Sequence, residues 1–275
     1  MKDFWRRFLR RRSTAIGLCI LVVVTAVALF GPSQFPQGPF SMVAKPFMPP
    51  SGDYLLGTDM LGRSVMAGIV YGARTSLLIA LSATALAILL GAFIGALAGY
   101  YGGWLDEALM RFTETFQTIP FFIFAILLVA VLAPSVGSVV TAIAVVTWAP
   151  MARLVRGEFM ALRNREFVQA CVGVGMGDVR IMLGQILPNC LPSIIVTGSL
   201  MVATAILTES ALSFLGLSDP NVMSWGYMIG AGREFLQRAP WLCAIPGVAI
   251  LVTVLAVNLV GDGLNDALNP RLRHA

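Results

Sequence analysis

The sequence predicts an all-α, polytopic membrane protein with six transmembrane helices and both termini in the cytoplasm. Three observations lead there. Of 275 residues, 57% are hydrophobic and only 12% charged, a balance outside that of water-soluble domains. Charge is excluded from long runs, residues 13–44, 75–105, 115–152, 181–208 and 239–261, and about 20 apolar residues suffice to cross a bilayer. With six crossings and the N-terminus inside, fourteen of the nineteen basic residues fall on the cytoplasmic side, as the positive-inside rule requires.

The chain opens on a basic cluster, Lys2, Arg6, Arg7, Arg10, Arg11 and Arg12, ahead of a first span at about Ala15–Phe30. Ala26-Val27-Ala28 resembles a signal-peptide cleavage site, but the apolar stretch is longer than a usual signal core, so the span is expected to be retained. Gly31–Gly57 carries six prolines and reads as an irregular external loop. The second span is expected at Leu77–Gly99, where Gly91, Gly95 and Gly99 leave one face thin enough for close helix packing. The 38 uncharged residues Thr115–Ala152 contain the turn signal Pro134-Ser135-Val136-Gly137. They are divided into spans Phe116–Ala133 and Val136–Met151, because one span there would put the basic segment that follows outside. The last two spans are Leu191–Phe214 and Trp241–Val260. Residues 1–74 form an N-terminal tail, first span and loop; 75–266 the main membrane domain; 267–275 a cytoplasmic tail.

Asn164–Pro192 differs from its surroundings: it is polar, basic and patterned as two short helices. Phe167, Ala170, Cys171 and Val174 recur at i, i+3, i+4, i+7, and after Gly175-Met176-Gly177 the spacing repeats at Val179, Met182, Leu183 and Ile186. Asp178 is the expected N-cap of the second helix. A bent, water-facing elbow results, with Gly175 at the bend and Leu187-Pro188 returning the chain to the membrane. Arg153, Arg156, Arg163 and Arg165 flank it; topology with headgroup contact and clamping of a partner's acidic rim explain them equally well.

Several chemistries are excluded. Cys19, Cys171, Cys190 and Cys243 have no metal-ligand spacing, and the single histidine is His274. No metal or other cofactor is expected. Lys2 and Lys45 are the only lysines, and neither follows a glycine-rich phosphate-binding turn. With no HExxH and no G-x-S-x-G, the chain has no catalytic residues and is not expected to be an enzyme. The net charge of +5 comes from arginines flanking spans and is no nucleic-acid signal. Among the remaining ionisable groups, Asp106, Glu107, Arg111 and Glu114 are expected to pair within the chain, while Asp262 and Asp266 shape the last turn and tail. Glu209 falls near the outer end of the fifth span: it is either a pathway or gate residue, or a helix-end carboxylate in a structural hydrogen bond. Trp225 and Trp241 suit an outer aromatic belt. Pro120 and Pro150 would each bend a helix.

Gln169-Ala170-Cys171, then Gly175, then Ile186-Leu187-Pro188, resembles the "EAA" loop of binding-protein-dependent ABC importer permeases, with Gln169 in place of its glutamate and Cys171 in place of its second alanine. LGTDMLGR (Leu56–Arg63), YGARTSL (Tyr71–Leu77), ESALSFLGL (Glu209–Leu217), Ser224-Trp225-Gly226 and NLVGDGLNDALNPRL (Asn258–Leu272) are similar to the C-type permeases of peptide and nickel importers. The resemblance implies a type I ABC importer permease in the bacterial inner membrane, forming half of a translocation pathway for peptides or a related solute (a nickel chelate, glutathione, an opine). It implies as partners a second homologous permease in a heterodimer, one or two ATPase subunits docking on the elbow, an extracytoplasmic solute-binding protein and the lipid bilayer. The alternatives are a secondary transporter with no ATPase and an intramembrane enzyme. Ion-coupled carriers bury ionisable groups near mid-membrane, and the uncharged runs here hold almost none.

Overall fold

A computed structural model of the chain describes residue 8 and residues 11–268. Lys2, Arg6, Arg7 and Arg10 of the basic start, and Arg271, Arg273 and His274 of the tail, lie outside the described residues. No strand occurs among the described residues; ten α-helices follow one another. They are α1 (Arg12–Phe30), α2 (Val65–Tyr101), α3 (Gly103–Thr118), α4 (Phe121–Leu132), α5 (Val136–Arg163), α6 (Glu166–Gly173), α7 (Asp178–Ile181), α8 (Leu187–Phe214), α9 (Trp225–Gly232) and α10 (Trp241–Leu268). α1, α2, α5, α10 and the run 178–214 are each long and apolar enough to span a bilayer, and the bent pair α3–α4 makes a sixth.

The helices pack as a bundle: α1 on α10 and α2, α10 on α8, α8 on α2 and α5, α2 on α5, and α5 on α4. The closest of these seams is α2 against α5. A side chain at Gly91 or Gly99 would lie 2.6 Å from the carbonyl of Trp148 or Arg156, and Gly95 abuts Ala152 in the same way. Without a hydrophobic drive between helices in lipid, such close van der Waals contact is what holds them. The central cluster gathers small and branched residues, among them Ala80, Ala83, Val129, Ala142, Ile143 and Ile206.

Several spans depart from their expected bounds. α2 starts at Val65 rather than near Leu77, because Ser64 caps it, its Oγ accepting the Ala67 N–H at 3.3 Å. α5 runs on to Arg163 through Pro150, and α10 to Leu268. The expected span Phe116–Ala133 is broken at Ile119-Pro120, where α3 and α4 meet at 86°. Pro120 has no N–H to offer a continuing helix. α4 alone is 12 residues, about 18 Å at 1.5 Å per residue, and α3 is amphipathic.

The segment between α1 and α2 is irregular but closely tied. Asp59 Oδ1 accepts the N–H groups of Leu61 and Arg63, each at 2.8 Å. Thr58 Oγ1 donates to the Lys45 carbonyl at 2.7 Å and accepts from Met48 N at 2.9 Å. Residues 31–64 and α9 lie at one end of the bundle, and α6, α7 and the end of α5 at the other.

Candidate functional site

The elbow is built around a helix stop. α6 ends in a Schellman motif: Met176 N donates to Cys171 O at 3.0 Å and Gly175 N to Val172 O at 2.9 Å. Gly175 has φ +79°, a left-handed conformation that glycine adopts without steric cost. Gly177, not Asp178, is the N-cap of α7; Asp178 is its first residue, and its Oδ1 accepts from Tyr100 Oη at 2.8 Å. That bond ties the elbow to the end of α2.

The second helix of the elbow is not a separate piece. From Asp178 the chain stays helical to Phe214, through a π turn at Met182–Ile186. Pro188 accounts for the wide turn: it has no N–H for the carbonyl of Gly184, and its ring would crowd that carbonyl in a regular helix. Leu187-Pro188 is therefore mid-helix, where the elbow runs on into the long apolar segment.

The elbow's apolar residues divide between two faces. Val168, Ile181, Met182 and Ile186 are buried with Val155 and Phe159 of α5 and Tyr100 of α2, and Cys171 and Leu187 pack half-buried on this cluster. The stripe expected to form one apolar face of a water-facing elbow is split, and part of it turns into the bundle. Phe167, Val174, Val179 and Leu183 are exposed, at 40, 79, 66 and 61%, and Ala170 and Pro188 are exposed beside them. Gln169 is also on the surface, its Nε2 donating to the Arg163 carbonyl at 3.3 Å.

Two of the flanking arginines are engaged within the chain. Arg156 binds both oxygens of Asp106, at 2.5 and 2.7 Å, and Arg163 donates to the Tyr101 carbonyl at 3.3 Å. Arg153 and Arg165 are exposed. Glu107 pairs with Arg111 at 2.6 Å on α3, and Asp266 with Arg11 at 2.6 Å, joining α10 to the start of α1.

Glu209 is 1% exposed, at the opposite end of the bundle. Its Oε1 accepts from Ser213 Oγ at 2.8 Å and Ser224 Oγ at 2.7 Å; Ser76 Oγ approaches Oε2 at 3.5 Å. Ser76, Ser213 and Ser224 were missing from the sequence-level site. Each lies in a motif that carries the family resemblance, Ser76 in Tyr71–Leu77, Ser213 in Glu209–Leu217 and Ser224 in Ser224-Trp225-Gly226, but nothing in the sequence links them to Glu209. Trp225 is not a belt residue: it is 2% exposed and its Nε1 donates to the Ile69 carbonyl at 3.0 Å, in space that Gly72 leaves open. Trp241 is half-buried, with Nε1 3.4 Å from the Thr58 carbonyl. Among the described residues no group of three His, Cys, Asp or Glu side chains could hold a metal.

Comparison with known proteins places this architecture. Residues 87–274 match the family model of the binding-protein-dependent transport system inner membrane component. The chain belongs to that family. Residues 1–50 match a second model, the N-terminal transmembrane domain of oligopeptide transport permease C. A di/tripeptide transport system permease protein DppC from Pseudomonas aeruginosa is 38% identical over 100% of this chain and 93% of its own length. The oligopeptide transport system permease protein OppC of Bacillus subtilis is also 38% identical, covering 99% of this chain and 90% of its own. A chain of the MetNI methionine ABC transporter, solved in inward-facing conformations, shares the fold. Its TM-score is 0.60 at 16% identity, over 74% of this chain and 96% of that one. This permease is thus a multi-pass inner-membrane transport protein, and the secondary-transporter alternative is disfavoured.

Proposed function

We propose that this chain is one of two homologous permease subunits in an ATP-driven, binding-protein-dependent importer of peptides or a related small solute. Its elbow docks on a separate ATPase that hydrolyses the ATP. The similar permeases from Pseudomonas aeruginosa and Bacillus subtilis are named for di/tripeptide and oligopeptide transport, and this supports the substrate class. The elbow end is cytoplasmic, and residues 31–64 with α9 face the extracytoplasmic binding protein. Residues 75–266 form the permease domain proper.

One observation carries the docking assignment. Phe167, Val174, Val179 and Leu183 are all at least 40% exposed at one end of the bundle, the first two ahead of the run 178–214 and the other two in its first turns. Apolar side chains on a water-facing helical elbow are costly unless a partner groove covers them, and exposed Arg165, directly ahead of α6, suits an acidic rim. Gln169, Ala170, Cys171, Gly175, Ile186, Leu187 and Pro188 then serve in two ways. The surface group meets the ATPase, while Gly175 and Ile186 hold the elbow's shape.

Cysteine crosslinking tests this. The native Cys19, Cys171, Cys190 and Cys243 are first replaced by serine or alanine. Ala170→Cys and Val174→Cys are then introduced; both avoid the left-handed position at Gly175. Crosslinks to the co-expressed ATPase are expected. Labelling of either cysteine by an impermeant thiol reagent from outside intact cells would sink the assignment.

A further inference from the structure

The external helix α9 is only eight residues long, too short to be stable without tertiary support, and its start is seated in an unusual way. Ser224 caps it, accepting the Tyr227 N–H at 3.0 Å, and the same hydroxyl donates to Glu209 Oε1 at 2.7 Å. The Trp225 N–H donates to Ser76 Oγ at 3.2 Å, and that hydroxyl lies 3.5 Å from Glu209 Oε2. Two of the orphan N–H groups of the first turn are thus relayed by serines onto one buried carboxylate, which also faces the positive end of the helix. Ser210 Oγ donates to the Ile206 carbonyl at 2.8 Å and also lies 3.5 Å from Glu209 Oε2, so Ser213 supplies the remaining short donor. No salt bridge to Glu209 occurs among the described residues. The donors that converge on it come from α2, α8 and the cap of α9.

The seat is tight as well as polar. A side chain at Gly226 would lie 2.7 Å from Ser210 Cα and Ser213 Cβ, and one at Gly72 would lie 2.7 Å from the Trp225 ring. From this seat α9 reaches the segment between α1 and α2. Tyr227 packs edge-on to Phe40 with centroids 6.1 Å apart, and beyond α9 Phe235 meets Phe47 at 5.0 Å, with Arg238 over the Phe47 ring at 4.4 Å.

We propose that Glu209 is a positioning residue for the outer face of the permease. Its carboxylate seats α9, and through α9 it fixes residues 40–64 as the surface that meets the binding protein. The docking half of this statement rests on the function proposed above; the seating half does not.

The test uses the assembled transporter in lipid nanodiscs, with Ser224→Ala and Glu209→Gln. Ser224→Ala removes the cap and one short donor. Glu209→Gln keeps the shape but replaces an acceptor-only group with one that must present N–H to a serine. Amide exchange over 225–235 and 40–64 is expected to quicken by roughly tenfold, the size expected of a lost N-cap, with elbow peptides 166–181 unchanged. Titration of ATP hydrolysis with binding protein is expected to show half-saturation raised several-fold and the maximal rate nearly kept. Unchanged exchange in both variants, or faster exchange throughout the bundle, overturns the seat. Faster local exchange with an unmoved half-saturation overturns the docking role alone. Because exchange needs no binding protein, the two failures are distinguishable.

Discussion

Substituting Gly91 by alanine should destabilise the bundle, although alanine is the better helix former. A β-carbon at Gly91 would lie 2.6 Å from the Trp148 carbonyl, 2.7 Å from Met151 Cβ and 2.9 Å from Ala152 N. Ordinary contacts of a β-carbon begin near 3.4 Å, so α2 and α5 must part by several tenths of an ångström. Two of the three obstacles are backbone and cannot rotate away. Overpacking of this kind costs about 1–3 kcal/mol, against about 1 kcal/mol returned by helix propensity. The net loss is therefore about 0–2 kcal/mol. Gly157 supplies the control. It sits on α5, is exposed, and has nothing within 4 Å of where its β-carbon would be, so Gly157→Ala should gain up to about 1 kcal/mol. The assay is unfolding of the purified chain in mixed micelles, followed by the loss of helical circular dichroism as denaturing detergent is titrated in. Identical chemistry at the two sites should move the midpoint in opposite directions. Equal gains at both would refute the reading of the α2–α5 seam as backbone in contact with backbone.

Two further outcomes are expected. Gly175→Ala meets no clash but must hold φ near +79°, a strain of about 1–2 kcal/mol; ATP-driven uptake in vesicles should fall several-fold, while Gly175→Asn, tolerant of that conformation, keeps most of it. Asp106→Ala and Arg156→Ala in a double-mutant cycle should show coupling of about 1–2 kcal/mol in the same unfolding assay, for a bidentate pair of which Asp106 is largely covered and Arg156 about one-third exposed.

The crossings were legible because a bilayer leaves few options: each needs a long uncharged run, and those runs can be read directly. Partners across helices could not be read in that way. Asp106 pairs within the chain as expected, but its cation lies fifty residues on, at Arg156, a partner that no local pattern names. Trp225 was assigned to a belt by residue type, but Gly72 on another helix opens the space that buries it. Prolines behave alike in sequence and differently in place. Pro120 ends a helix, whereas Pro150, Pro192 and Pro246 stay inside theirs. In the elbow the expected stripe divides: Met182 and Ile186 turn into the bundle, while Phe167, Val174, Val179 and Leu183 stay exposed. Val168, one residue from the expected stripe, turns inward as well. A short helix with apolar residues on two sides gives no sequence cue to which side the bundle takes.

The π turn joins these observations mechanically. The run 178–214 is 37 residues, about 55 Å of helix, with the elbow at one end and Glu209 near the other. α2 lies antiparallel to it and is bonded to it at both ends, Tyr100 to Asp178 and Ser76 towards Glu209. The one irregularity along the run that is not a lone proline is Met182–Ile186, between the elbow and the span. Such a turn amounts to one extra residue in the helix, so removing it would rotate everything before it by about 100°. Pro188→Ala restores the N–H that Gly184 O lacks and removes the reason for the wide turn. The helix should become more stable by up to about 3 kcal/mol. The exposed face at Val179 and Leu183 should swing away from Phe167 and Val174, and ATP-driven uptake should collapse in a chain that is harder to unfold. Full uptake together with raised stability would show that the elbow tolerates rotation, and that the π turn has no part in presenting it.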